Sequence, residues 1–247
     1  PFSVYNKYND IFLRIIVKNF GEILMTSVIA LDGPAASGKS TLAAKLAERL
    51  NIPYINTGNM YRAITYFALQ SKLDLTKDCN EKVFKELLTG LKFEYHQNNE
   101  GKYKIVLNGV APGAKLRSPE VAKFVSPVAA LPVVRNFLTA IQRQCAAKTL
   151  VVMEGRDIGS VVFPDAQYKF FITASPLERA RRRLAQAGEV KPGETLESVA
   201  AAIAERDRID STRAVAPLKK ADDAILIDNT DLQLEDVLSM VIARIKK

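Results

Sequence analysis

The sequence predicts an α/β fold in which a parallel five-stranded sheet carries helices on both faces. Short apolar runs typical of buried strands alternate along the chain with longer amphipathic runs typical of helices, and such alternation builds parallel sheets through right-handed crossovers. A glycine-rich G-x-x-x-x-G-K-S stretch lies between the first strand and the first helix, which is where such sheets bind phosphate groups.

The phosphate-binding stretch follows an apolar strand over residues 28–31. Glycines at its two ends let the backbone N–H groups turn inward, and the next helix adds the positive end of its dipole. Lys39 supplies a charge for the β and γ phosphates, and the Ser40 hydroxyl is placed to bind Mg²⁺. We therefore expect a P-loop NTPase-type fold that binds ATP through Gly33, Pro34, Ala35, Ala36, Ser37, Gly38, Lys39, Ser40 and Thr41.

The remaining elements follow in order along the chain. The five core strands are predicted near residues 28, 53, 150, 169 and 225. Alternating residues over 91–110, with turn residues at 98–101, predict a β-hairpin inserted into a helix-rich region. Helices are predicted over 41–50, 57–69, 119–147 with breaks at Pro127 and Pro132, 176–187, 194–210 and 231–247.

Two charged stretches are candidates for ligand binding. Glu154-Gly155-Arg156-Asp157 comes directly after a buried strand, at the sheet edge where open α/β folds bind ligands. The two helices over 176–213 are rich in arginine and are joined through Gly188 and Gly193. A solvated helical hairpin would have the same composition, but beside a phosphate-binding loop we interpret it as a lid over phosphates.

The composition limits the class of protein. The net charge of +8 fits either nucleic acid or several phosphate groups as partners. Cys79 and Cys145 fit no metal-binding spacing, so we expect a reducing, cytoplasmic compartment. No apolar run reaches transmembrane length.

Residues 1–24 are treated separately from the domain. They contain a short apolar run over 11–17, and Met25 stands immediately before the first strand. We expect an N-terminal extension of unknown role, with the domain proper over 25–247. A helix that binds a membrane surface or a partner is the alternative for this segment.

Four motifs together resemble those of the bacterial cytidylate kinases. The resemblance runs from Met25 to the C-terminus, and the last three motifs are more specific than the first. They are Gly33 to Thr41, Thr57-Gly58-x-x-Tyr61-Arg62, Gly155-Arg156-Asp157-Ile158-Gly159 continuing to Pro164, and Arg213-Ala214-Val215-Ala216-Pro217-Leu218. The resemblance implies transfer of the γ-phosphoryl group of ATP to CMP or dCMP with Mg²⁺. It also implies a nucleoside monophosphate kinase fold, with a monophosphate-binding insert over about 57–135 and a lid over about 179–213.

The resemblance also implies residue roles. Lys39, Arg156 and Arg213 would be catalytic, and Ser40 would bind the metal ion. Residues holding the monophosphate would be Tyr61, Arg62, Arg156 and Arg213. Ser126, Arg135 and Asp157 would read cytosine with Thr57 beside them, while Arg206 and Asp210 would face the sugar. We expect a monomer whose partners are ATP and CMP or dCMP, with neither nucleic acid nor membrane.

Two positions depart from the family pattern. Glu154 stands where the family usually has aspartate, which leaves open whether its carboxylate reaches the metal ion directly or through water. Thr57 stands in place of a serine and keeps the hydroxyl.

Three other functions are weighed against this one. Another P-loop kinase, acting on UMP or a non-nucleotide, would lack the set formed by Ser126, Arg135 and Asp157. A regulatory switch of the GTPase type would carry an Asn-Lys-x-Asp motif, which this sequence lacks. A nucleic-acid-dependent ATPase is suggested only by the basic composition, because the arginines lie beside the phosphate motifs and not along a stripe.

Overall fold

The structure is a computed structural model that describes residues 26–97, 103–147, 149–186 and 190–245. The extension expected over residues 1–24 lies outside the described residues. Seven strands are described: β1 (Thr26–Asp32), β2 (Tyr54–Asn56), β3 (Phe93–Gln97), β4 (Tyr103–Leu107), β5 (Val151–Glu154), β6 (Ala166–Thr173) and β7 (Ile225–Asp228).

Eight α-helices are described along the same ranges. They are α1 (Lys39–Leu50), α2 (Thr57–Gln70), α3 (Glu81–Thr89), α4 (Pro119–Ala130), α5 (Pro132–Ala146), α6 (Pro176–Leu184), α7 (Leu196–Thr212) and α8 (Leu234–Ile245). A short 3₁₀ turn covers Gly113–Arg117, and a single π-helical turn covers Ile158–Val162.

Five of the strands form the parallel sheet that the sequence predicts. Their order is β2-β5-β1-β6-β7, with β1 at the centre. Ile29 of β1 pairs with Val152 of β5 on one side and with Tyr168 of β6 on the other. Because all pairs are parallel, the carboxyl ends of β1, β2 and β5 meet at one edge of the sheet.

Alternate residues of the central strand β1 enter two different cores. Val28 and Ala30 pack into the cluster that also buries residues of α2 to α5. Ile29 and Leu31 pack into the cluster that buries residues of α1 and α8. Side chains of a strand alternate between its two faces, so this division places helices on both faces of the sheet. The predicted fold class is confirmed.

The predicted hairpin is formed by β3 and β4, which pair antiparallel. Ile105 and Leu107 are buried in the cluster shared with α2 to α5. The ring of Phe93 packs edge-on against Phe137 of α5, with 6.2 Å between the ring centroids. The hairpin therefore belongs to the same unit as helices α2 to α5.

The predicted helix break at Pro127 is wrong. Pro127 lies inside α4, although proline lacks the N–H for one helical hydrogen bond. Core packing of Val121, Val125 and Val128 on the buried face of α4 keeps this helix continuous. The break falls instead at Leu131, whose extended backbone precedes Pro132 at the start of α5.

In the part of the chain that the structure describes, no single helix is long and apolar enough to cross a membrane. Helices α4 and α5 pass that test only as a pair, by length and composition, and they are bent by 93° at the break between them.

Candidate active site

The phosphate-binding loop joins β1 to α1. Gly33 has φ +145°, and a Cβ there would stand 2.0 Å from the carbonyl oxygen of Ile172, so only glycine fits this approach to β6. Gly38, at the N-cap of α1, has φ +86° and no side-chain cap among the described residues. The first N–H groups of α1 are thus available to an anion.

Lys39 is buried against the loop itself. Its Nζ donates to the carbonyl of Pro34 at 2.6 Å and to the Ser37 hydroxyl at 3.0 Å. Burial, and next the positive charge of Arg156, lower the pKa of Lys39 well below its usual range. An anion beside Lys39 would offset both effects.

A cavity of about 360 Å³ opens in front of this loop. Among the described residues, seven basic side chains and one acidic side chain line it. The acidic residue is Glu154. The basic residues are Lys39, Arg62, Arg117, Arg156, Arg182, Arg183 and Arg206.

The arginines of this cavity disfavour one another's charge. Burial, then Arg156 and Arg62, lower the pKa of Arg206 to about 9. Burial and neighbouring arginines lower the pKa of Arg62 and that of Arg183 to about 10 each. The buried Nε of Arg206 has no hydrogen-bond partner among the residues that the structure describes. Crowded guanidinium groups with an unused donor are what a polyanion site requires.

A second group of polar side chains lies next to the cavity, and all of its members are buried. Arg135 pairs with Asp157, and its other terminal nitrogen donates to the carbonyl of Ala129 at 3.1 Å. The Arg135 guanidinium lies 5.3 Å from the ring centroid of Tyr61. Arg213 stands 3.6 Å from Asp157 and 3.7 Å from Asp210. We call Tyr61, Arg135, Asp157, Asp210 and Arg213 the acid–base cluster.

Asp210 joins the cluster to the cavity. Its carboxylate accepts a hydrogen bond from Nε of Arg156 at 3.0 Å. Burial by itself would raise its pKa, but Arg156, Arg206 and Arg213 together hold the pKa of Asp210 below its usual range. Asp210 is therefore ionised at neutral pH, and it compensates part of the positive charge of both sites.

Asp32 fixes the loop that carries Arg156 and Asp157. Its two carboxylate oxygens accept from the backbone N–H groups of Ile158 at 2.8 Å and of Gly159 at 2.7 Å. These groups begin the π-helical turn directly after Asp157. Desolvation by burial raises the pKa of Asp32 to about 6, although both hydrogen bonds lower it.

Glu154 is tied down at the end of β5. Its carboxylate accepts from the hydroxyl of Tyr54 and from the amide of Asn56, the latter at 2.6 Å. Burial, and next Glu154, raise the pKa of Tyr54 far above its usual range. The hydroxyl of Thr57 donates to the backbone carbonyl of Glu154 at 2.7 Å.

The oxygen donors at the cavity fit a magnesium ion that arrives with a nucleotide. Ser40 and Glu154 both line the cavity, while no group of three or more metal-binding side chains occurs in the described ranges. Mg²⁺ usually takes one or two protein oxygens and completes its octahedral shell with phosphates and water. The donor set is that of such a shared site.

The comparisons with known proteins identify the family. The family model described as Cytidylate kinase matches residues 29–247. The chain belongs to the cytidylate kinase family. A cytidylate kinase of Carboxydothermus hydrogenoformans is 44% identical over 87% of this chain and 95% of the relative. A cytidylate kinase of Clostridioides difficile is 44% identical over 88% of this chain and 97% of the relative.

Solved structures with a similar fold were also found. An uncharacterised protein from Eubacterium ventriosum is 16% identical, with a TM-score of 0.49 over 89% of this chain and 98% of that chain. A likeness of this degree has no bearing on function.

In this cytidylate kinase family member, most of the residues expected to bind substrate lie in the cavity or in the acid–base cluster, and Ser126 and Thr57 lie elsewhere. Arg62, Arg156 and Arg206 line the cavity with the loop residues Ala36 to Thr41. Tyr61, Arg135, Asp157, Asp210 and Arg213 form the acid–base cluster. Ser126 lines a neighbouring cleft of about 870 Å³ between α4 and α7. Thr57 is engaged with the backbone of Glu154.

Three arginines that line the cavity were not among the site residues expected from the sequence: Arg117, Arg182 and Arg183. Arg183 lies on α6 with Arg182, whose guanidinium donates to Asn229. Their helical phase separates them from exposed Arg181 and could have identified them. Arg117 ends the 3₁₀ turn and has no local sequence signal.

The buried carboxyl group of Asp32 should make the stability of the protein depend on pH. Its pKa is about 6 in the folded protein, against 3.8 for an ordinary aspartate side chain, so the folded state holds the proton more tightly. As the pH rises from about 4 to about 6, the free energy of unfolding of the wild type should fall relative to that of Asp32→Asn, because the stabilising proton is lost. The expected change is up to about 3 kcal/mol. Denaturant unfolding of both proteins from pH 4 to pH 7 measures it, and a difference that does not vary with pH would contradict the assignment.

Proposed function

We propose that the chain transfers the γ-phosphoryl group of ATP to CMP or dCMP, giving ADP and CDP or dCDP. The observation that carries this proposal is the placement of two neighbouring residues. Arg156 lines the cationic cavity, while Asp157 lies in the acid–base cluster. A nucleoside monophosphate has an anionic phosphate at one end and a base at the other, so one molecule can contact both.

The phosphate ends of the two substrates are bound in the cavity. Phosphoryl transfer needs alignment and charge neutralisation more than covalent help from the protein. ATP and CMP bring about six negative charges together, and the cavity offers its basic side chains from α1, α2, α6, α7 and the loop after β5. Mg²⁺ bound with ATP would neutralise part of this charge, and Ser40 and Glu154 are the residues that would hold it.

Lys39 stabilises the negative charge of the β and γ phosphates of ATP at the phosphate-binding loop. Within the described part of the chain, its Nζ donates to the carbonyl of Pro34 and to the Ser37 hydroxyl, and both residues belong to the loop that binds phosphate. Moving to the β and γ phosphates would exchange these neutral acceptors for anionic ones, which makes the hydrogen bonds stronger. The gain is largest as charge develops on the bridging oxygen in the transition state.

Within the acid–base cluster, Asp157 and Arg135 are the residues that read the base. Cytosine presents an exocyclic amine that donates beside a ring nitrogen that accepts, whereas uracil presents the opposite pair. The carboxylate of Asp157 can accept from the amine, and the guanidinium of Arg135 can donate to the acceptors. A uracil base would leave these buried groups unpaired, at about 1–3 kcal/mol each.

The remaining parts of the proposal concern partners and location. The basic side chains converge on one cavity, which supports small phosphorylated substrates as the reason for the net charge. Cys79 and Cys145 are both free, in keeping with a reducing, cytoplasmic compartment. We propose a monomer that needs neither nucleic acid nor a membrane.

A coupled assay of ADP formation tests the activity. The protein is given ATP and Mg²⁺ with CMP, dCMP, UMP, AMP or GMP in turn, and Lys39→Ala serves as the inactive control. We expect kcat/KM for CMP or dCMP to exceed that for UMP by at least about tenfold. AMP and GMP should give almost no turnover, because a purine needs a larger pocket. A preference for UMP, or turnover only with a non-nucleotide acceptor, would establish a different P-loop kinase.

Asp157→Asn tests the reading of the base. The amide keeps the size of the side chain but has one acceptor oxygen in place of two. With that oxygen held by Arg135, the NH₂ group would face the amine of cytosine, so CMP turnover should fall far more than UMP turnover. The ratio of the two kcat/KM values should narrow by about tenfold or more. Asp231→Asn, at an exposed position, is the matched control. An unchanged ratio in Asp157→Asn would remove this residue from base recognition.

Arg183→Ala tests a cavity residue that lacks a motif. Because Arg183 stands beside the other arginines that face the phosphates, its loss should lower kcat/KM for CMP by about tenfold to a hundredfold. Arg181→Ala on the same helix removes a guanidinium that is 60% exposed and should change kcat/KM by less than about twofold. Equal kinetics of the two variants would place Arg183 outside the substrate site.

A further inference from the structure

Both backbone polar groups of Ala35, in the phosphate-binding loop, are held by the arginine-rich hairpin of α6 and α7. The N–H of Ala35 donates to Oδ1 of Asp207 at 3.2 Å. The carbonyl of Ala35 accepts from Arg179 at 3.1 Å. Arg179 and Asp207 also form an ion pair with each other. We call these three residues the Ala35 clamp.

The clamp is built into the protein interior. Ala35 is 1% exposed and Arg179 is 8% exposed. The Nε of Arg179 donates in addition to the carbonyl of Ala174, at 3.2 Å, so the guanidinium is fixed from two sides. A buried arginine that is satisfied in this way has little freedom to move, which is the condition for a rigid connection.

An apolar contact between the hairpin and the loop lies beside the Ala35 clamp. Ala180 of α6 and Val199 and Ile203 of α7 form a small buried core. Ala36, the next residue of the phosphate-binding loop, packs against this core. The hairpin thus contacts two successive loop residues, one by hydrogen bonds and one by packing.

Asp207 is flanked on α7 by residues that face the substrate sites. Arg206 lines the cationic cavity, and Asp210 accepts from Arg156. An α-helix is rigid over one turn, so fixing Asp207 to Ala35 also fixes Arg206 relative to Lys39. Neither Arg179 nor Asp207 lines the cavity, and neither is placed to touch a phosphate there.

We propose that Arg179 and Asp207 are positioning residues that hold Arg206 in register with the phosphate-binding loop. This inference rests on the proposed phosphoryl transfer. A nucleotide in the loop orders the loop's peptide groups, and the clamp passes that order to α7. The coupling is reciprocal: the factor by which nucleotide binding favours the ordered position of α7 is also the factor by which that position of α7 strengthens nucleotide binding.

The kinetic test uses Asp207→Asn and, as matched control, Arg208→Gln on the same helix. Asparagine can still accept from Ala35 but loses the charge that pairs with Arg179. Arg208 is 63% exposed and pairs only locally with Glu205. We expect kcat to fall about tenfold to a hundredfold in Asp207→Asn, because small misplacements of a catalytic group are costly. KM for CMP should change by less than about threefold, and Arg208→Gln should match the wild type.

A double-mutant cycle separates positioning from stability. If Asp207 acts through Arg206, then Arg206→Ala should cost much less activity in the Asp207→Asn background than in the wild type. All rates are measured well below each variant's Tm, and Arg179→Lys provides a second variant should Asp207→Asn not fold. Additive losses in the cycle would overturn the proposal, since a merely structural role gives independent effects.

A binding measurement distinguishes failure of the clamp from failure of the proposed function. Hydrogen exchange over α7 is followed with and without a non-hydrolysable ATP analogue and Mg²⁺. The wild type and Arg208→Gln should gain protection when the analogue binds, and Asp207→Asn should not. Such a pattern in a protein that fails to phosphorylate CMP would support the clamp and would refute the proposal that CMP is the phosphoryl acceptor. Absence of added protection in the wild type, or equal protection in Asp207→Asn, would overturn the clamp.

Discussion

Repulsion among the arginines around the phosphate-binding loop is the constraint on which the rest of the site depends. Burial and neighbouring cations lower the pKa of Arg62, Arg183 and Arg206. These arginines come from three different helices, so the fold must hold apart groups that repel one another. It does so with the buried carboxylate of Asp210 and with backbone carbonyls, such as that of Leu116, which accepts from Arg62 at 3.1 Å. A polyanionic substrate relieves the remaining repulsion.

The parallel sheet supplies the fixed side of the site. Carboxyl ends of β1, β2 and β5 bring Asp32, Asn56 and Glu154 to one edge. Each side chain ties a loop or a helix start in place. Asp32 holds the start of the π-helical turn, and Asn56 accepts from Asn59 to cap α2 while donating to Glu154. The substrate-facing residues thereby rest on hydrogen bonds between neighbouring strand ends, which limits their movement.

The helical hairpin supplies the other side, and its arginines have separate tasks. Arg179 holds the loop peptide of Ala35, Arg182 bonds to Asn229, and Arg183 faces the cavity. Arg181 points to solvent. Arginines that are neighbours on one helix thus have different surroundings, because the 3.6-residue period points each of them in a different direction.

The sequence alone was enough to predict the phosphate-binding loop, the five parallel strands and the family, because glycine spacing, apolar runs and motifs are local properties of the chain. It did not determine that Pro127 continues α4, since tertiary packing there outweighs a lost hydrogen bond. Nor did it indicate Arg117 or the partners of Ala35, which lie far from the loop in sequence. These features depend on contacts between distant segments, which are set by how the helices pack against the sheet, and no local pattern encodes that packing.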